Sequence, residues 1–198
     1  LCKLAFFVPF LPWLLRQKNA GLALITGACV GLGFALEENI NYYDPSGGSV
    51  VWGRFITANF LHLALTGIAA HGLYVTVRSG FTRLADFFGA FAGVVAAHGL
   101  YDLLILTDDD SLLGLGAFSI IVLFFVARHF FTLVEQELRA ARGAVSPLSV
   151  FFLGSAVLIA ALFVMAGWVG GTTQAIAEVG TGCLGVVPVG FMFWKHLH

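Results

Sequence analysis

Between residues 20 and 194 the chain repeats one pattern: a long apolar run, a short polar break, and another apolar run. The runs cover 20–43, 52–77, 84–107, 112–134, 148–168 and 176–194. Each is close to the ~20 residues that the hydrocarbon core of a bilayer demands of a helix. Backbone N–H and C=O groups find no water there, so a run of this kind must satisfy them internally, as a helix does. Residues 1–15 form a shorter apolar stretch that holds Pro9 and Pro12, and read as a full span, the tail of one, or an interfacial segment. The pattern predicts an all-α fold, a polytopic transmembrane helix bundle of about seven spans. It leaves no boundary at which to divide the chain, so 1–198 is expected to be a single integral membrane domain.

Composition removes several function classes. Charged residues make up 11% of the chain, against about 25% in a soluble domain. The net charge of −1 gives no basic footprint for nucleic acid. Cys2, Cys29 and Cys183 are too few and too far apart for a metal pair or a disulfide framework. The chain opens on Leu1, directly in apolar sequence, and is expected to be a fragment or a processed form. If successive spans alternate direction, all Lys and Arg except Lys3 and Arg54 fall on one side, and Asp108, Asp109 and Asp110 fall on the other. The positive-inside rule makes the basic side cytoplasmic. A multi-pass protein of the cell membrane is expected.

The polar residues inside the apolar runs are few: Glu37, Glu38, Asn39 and Asn41, then Asn59, His62, Thr66 and His71, then His98 and Asp102. A carboxylate at the centre of a bilayer costs roughly 2.5–3.5 kcal/mol even on lenient scales, so such a group marks a functional site by default. Counted from the outer ends of the runs at the helical rise, Glu38 lies ~7 Å deep, Asp102 ~8 Å, His62 ~12 Å and His98 ~14 Å. These four share one layer. His71 lies ~25 Å in and falls outside it. His98 and Asp102 are four apart and share a helix face, and Asn59, His62 and Thr66 follow one stripe. Glu38 shares a stripe with Phe34 and Tyr42 whereas Glu37 aligns with Asn41, and spacing alone leaves open which of the two faces inward.

Two chemistries fit this set. A glutamate with a histidine can activate water as general base while His, Asn59 or Thr66 donors hold an oxyanion. Alternatively, the same Glu, His and Asp side chains are acceptable zinc ligands. There is no H-E-x-x-H and no G-x-S-x-G. A proton or ion transporter, or a membrane scaffold, is the non-enzymatic alternative. A relay would continue through the bilayer, but the cytoplasmic halves of the runs are apolar apart from His71.

With these residues in place, the chain resembles the PrsW family of glutamic intramembrane proteases, within the superfamily of CAAX proteases and bacteriocin-processing enzymes. The resemblance covers about 27–104. It rests on Gly33-Phe34-Ala35-Leu36-Glu37-Glu38-Asn39, on Arg54 followed by His62 and Thr66-Gly67, and on His98-Gly99-Leu100-Tyr101-Asp102. It implies a peptidase that uses Glu37 or Glu38 as the base for water and His62 to orient that water. His98 and Asp102 would bind the oxyanion. Asp102 stands where related proteases often have Asn, and an anionic Asp102 cannot donate; it would be protonated or would orient His98. The substrate implied is a membrane-associated polypeptide cut near the outer face, as family members cut an anti-sigma factor. No cofactor is expected, with zinc as the alternative.

Overall fold

The computed structural model describes residues 2–46, 51–106 and 115–140, and scattered positions between 156 and 195. The described residues are helical apart from short turns. The first apolar stretch is not a single helix. Helix α1 (Cys2–Phe7) passes through a 3-10 turn (Val8–Phe10) into α2 (Leu11–Gln17). Pro9 and Pro12 account for the break. Each sits in the first turn of its element, where the N–H that proline lacks has no helical partner to lose. Lys18 ends α2 in the left-handed region at φ 53°, its N–H on the Leu14 carbonyl at 3.1 Å. The bent segment lies against the bundle, with Phe7, Leu11 and Leu14 buried among Ala23, Ala70 and Tyr74.

Four long helices follow: α3 (Ala20–Ser46), α4 (Val51–Arg78), α5 (Leu84–Leu106) and α6 (Leu115–Ala140). Asn19 starts α3 by accepting the Leu22 N–H at 3.0 Å. Each long helix contains a stretch long and apolar enough to cross a membrane: Ala20–Ile40, Thr57–Arg78, Leu84–Leu104 and Phe118–Glu137. The expected runs at 148–168 and 176–194 fall, but for scattered helical positions, outside the described residues. The span count is therefore four among the described residues, with 1–15 contributing a broken helix.

The centre of the bundle is α4, whose span is 61% buried against 6% for that of α5. Its most extensive partner is α3, and glycine allows the approach. A Cβ on Gly31 would run into the His62 carbonyl oxygen, and one on Gly27 into Ala70. This is the small-xxx-small spacing used as a helix crossing. The same spacing at Gly89 and Gly93 is not, for nothing among the described residues packs over either. On its other side α4 meets α6, where Leu61, Leu65 and Ile68 pack with Leu123, Val126, Phe130 and Phe131. Outward, Ile25, Leu36, Phe88, Val95, Leu103, Ile120 and Phe125 are exposed. An apolar belt of that extent is suited to lipid rather than to water.

The turn from α4 to α5 is set by Gly80 at φ 64°. The Phe81 N–H reaches the Thr76 carbonyl at 2.9 Å and the Gly80 N–H reaches that of Val77 at 3.1 Å, the paired bonds of a Schellman ending. At this end Arg78 Nη1 donates to the Lys18 carbonyl at 3.1 Å, so the basic turns after α2 and α4 lie together.

Candidate active site

The polar residues converge at the opposite end of the α3–α4 pair. Three consecutive helices each supply a part: α3 brings Glu38, α4 brings His62 and Thr66, and α5 brings His98 and Asp102. Glu38 Oε2 lies 3.2 Å from His62 Nε2. One turn apart on α5, His98 Nδ1 lies 2.9 Å from Asp102 Oδ2. The two imidazoles face each other with ring centroids 5.1 Å apart. Two carboxylate–histidine pairs thus meet across the α4–α5 interface. His62 is 3% exposed and Glu38 32%, so the histidine is enclosed and the carboxylate reaches open space.

That space is a pocket of about 540 Å³ between α1, α3, α4 and α5. Lys3, Glu38, Thr66 and His98 supply its polar wall, and Phe34, Phe91 and Val94 part of its apolar wall. Phe34 stands one turn before Glu38, so the stripe that faces inward is the Phe34–Glu38 stripe. Glu37 is exposed and is not part of the wall. Asn59 accepts a hydrogen bond from Asn39 Nδ2 at 2.8 Å, tying α3 to α4, and it too is outside the wall. The Tyr101 hydroxyl donates to Thr57 Oγ1 at 2.9 Å and ties α5 to α4. His71 pairs with Glu137 at 2.9 Å, nine residues and ~13 Å along α4 from His62.

One member of the cluster was not expected from spacing. Lys3, on α1, places Nζ 3.0 Å from His62 Nδ1. It also lies 5.9 Å from the centroid of the Phe34 ring, within electrostatic reach of Glu38 and Asp102. The signal available in the sequence is that Lys3 is one of two basic residues that alternating spans would set apart from the other eight. Its route to the site depends on the bend at Pro9 and Pro12.

Lys3 also decides whether the cluster suits a metal ion. An ammonium donates and cannot accept, so a charged Lys3 calls for a lone pair on His62 Nδ1 and a proton on Nε2, the atom that faces Glu38. A zinc ligand needs the reverse, a bare nitrogen aimed at the ion. That leaves His98 and Glu38, since Asp102 is engaged behind His98 and outside the pocket wall, short of the three protein ligands of a catalytic zinc site. Among the described residues no three His, Cys, Asp or Glu side chains form a metal-holding group. Among the described residues the donors, as arranged, fall one short of such a set.

A multi-span helix bundle with carboxylates and histidines gathered between its helices belongs to the class of membrane proteins whose chemistry lies within the bundle rather than in a loop. The sequence profile of the PrsW family of intramembrane metalloproteases matches residues 1–134. The chain belongs to this family, and is by that membership an intramembrane protease. The match takes in α1 and most of α6 as well as the three motif helices. No curated protein and no solved structure matches the chain.

Proposed function

We propose that this protease hydrolyses a membrane-associated polypeptide in the pocket between α1, α3, α4 and α5, with Glu38 as the general base. The observation that carries the reading is Glu38, 3.2 Å from the buried His62 and lining the same pocket as His98. The steps use this chain's own groups. Glu38 takes a proton from a water in the pocket while the Nε2–H of His62 holds the carboxylate in place. The resulting hydroxide attacks the peptide carbonyl. The oxyanion that forms accepts from the Thr66 hydroxyl and from His98, whose second proton is stabilised by Asp102 in the manner of a carboxylate behind an imidazole. The proton held by Glu38 passes to the leaving amine, and the C–N bond breaks. Asp102 acts here by orienting His98 rather than as an oxyanion donor.

The apolar wall suits a substrate segment that enters from lipid. The basic turns near Lys18 and Arg78 would face the cytoplasm of a cell membrane and the site would open in the outer half. The motif core of about 27–104 would do the chemistry within one domain over 1–198.

The family's description as metalloproteases favours a second reading, a metal-dependent peptidase using the same residues. The test separates the two. The full chain is reconstituted in proteoliposomes with a pool of tagged single-span polypeptides, and products are read by mass spectrometry. Cleavage by the wild type, none by Glu38→Gln, and no effect of a strong chelator are expected. Activity lost to the chelator and restored by added zinc would overturn the metal-free reading, and an active Glu38→Gln would remove Glu38 as the base.

A further inference from the structure

Lys3 reaches the centre from outside the three helices that carry the motif residues. Its position is fixed by packing. The bend through Val8–Phe10 lays α1 against α3 and α4, Phe7 is fully buried, and Phe6 meets Phe34 edge-on with centroids 5.3 Å apart. Lys3 Nζ then stands 3.0 Å from His62 Nδ1.

The charged and titratable groups facing His62 are Lys3 from α1, Glu38 from α3, and His98 with Asp102 from α5. As an ammonium, Lys3 has three donors and no acceptor. It is satisfied by the imidazole only if Nδ1 is bare. A neutral imidazole with a bare Nδ1 has its hydrogen on Nε2, the atom that faces Glu38 Oε2 at 3.2 Å. Lys3 donates on the Nδ1 side and so selects this form over two others. The ring could carry its proton on Nδ1 and turn a lone pair toward the carboxylate. It could also take a second proton, giving an imidazolium whose charge would hold Glu38 back from accepting a proton from water.

We propose that Lys3 is a positioning residue that fixes His62 as the Nε2–H tautomer and so keeps Glu38 aimed and free to act as base. This rests on the reading of Glu38 as general base, although the tautomer itself does not.

The experiment is a nitrogen-15 spectrum of the full chain in nanodiscs, with labelled histidine. The His62 signals are assigned by their loss in His62→Gln. The wild type and Lys3→Arg are expected to show a protonated Nε2 and a bare Nδ1. Lys3→Met is expected to shift toward a protonated Nδ1, and its kcat on the cleaved polypeptide pool should fall about 10- to 100-fold, the effect of losing a hydrogen bond to a charged group. Lys3→Arg, which still donates, should restore most of that loss. A protonated Nδ1 in the wild type would overturn the proposal, as would wild-type spectrum and rate in Lys3→Met. If Lys3→Met does not fold, the wild-type spectrum decides alone. An active Glu38→Gln with the expected spectrum would sink the base assignment and leave the role of Lys3 in setting the tautomer intact.

Discussion

Replacing Gly31 with alanine sets two effects of known sign against each other. Alanine exceeds glycine in helix propensity by about 1 kcal/mol, and α3 would gain that wherever its surface is free. At Gly31 the surface is not free. The new Cβ would strike the carbonyl oxygen of His62, and Thr66 Oγ1 would be 2.9 Å away. Neither can yield, since the first is backbone at the centre of the bundle and the second belongs to a buried side chain. The helices would have to part by about 1 Å to restore ordinary contact. Overpacking of this kind costs roughly 1–3 kcal/mol, which outweighs the propensity gain. The displacement acts at His62, and a 1 Å error in a catalytic group can cost ~10²-fold in rate. Gly33 is the control: it lies two residues along the same helix with nothing within 4 Å of its would-be Cβ. Gly33→Ala is expected to be as stable as the wild type or up to about 1 kcal/mol better, and to keep its activity. Gly31→Ala should melt earlier and cleave about 100-fold more slowly. Thermal unfolding in detergent and cleavage in proteoliposomes measure both. Equal stability and rate in the two variants would refute the claim that the α3–α4 crossing at Gly31 sets the site.

Other substitutions address the remaining groups. Asp102→Asn keeps the shape but no longer stabilises a proton on His98, so kcat/KM should drop about 100-fold or more, the range for a general acid–base partner. Glu37→Gln changes an exposed carboxylate outside the pocket wall and should leave cleavage within a few-fold of wild type in the same assay. His71→Ala removes the partner of Glu137 at the other end of α4. It should lower stability by roughly 1.5–3 kcal/mol, the worth of a hydrogen bond to a charged group, with kcat little changed in the molecules that remain folded.

The sequence revealed the parts of the fold that depend on period and rise. Apolar runs at 20–43, 52–77, 84–107 and 112–134 correspond to α3, α4, α5 and α6 because inside lipid an apolar run has no alternative to helix. Depth could be counted at the helical rise, and Glu38, His62, His98 and Asp102 do meet. What could not be read is which face meets which partner. Gly27 and Gly31 lie at a crossing while Gly89 and Gly93, at the same spacing, meet nothing among the described residues, since spacing defines a stripe and not its neighbour. The same holds for Asn59, whose stripe is that of His62 and Thr66 but whose hydrogen bond is to Asn39. Lys3 was the least legible. Its approach to His62 depends on how a short broken helix docks on Tyr74 and Ala70, a tertiary matter that no local pattern encodes.

The site is shared unequally between firmly and loosely held parts of the protein. Glu38 and His62 stand on the tightest helix pair, whereas His98 and Asp102 stand on α5, the least buried of the four long helices among the described residues. Regions with few buried contacts open at lower free energy than the core. A sideways movement of α5 would separate the two carboxylate–histidine pairs while α3, α4 and α6 stayed packed, with the Tyr101–Thr57 bond as the tether nearest the site. Chemistry and fold therefore have different breaking points. On the proposed mechanism, a change of bilayer thickness or lateral pressure that does not unfold the bundle would still separate the groups of the candidate site, and the surrounding lipid would become a determinant of turnover.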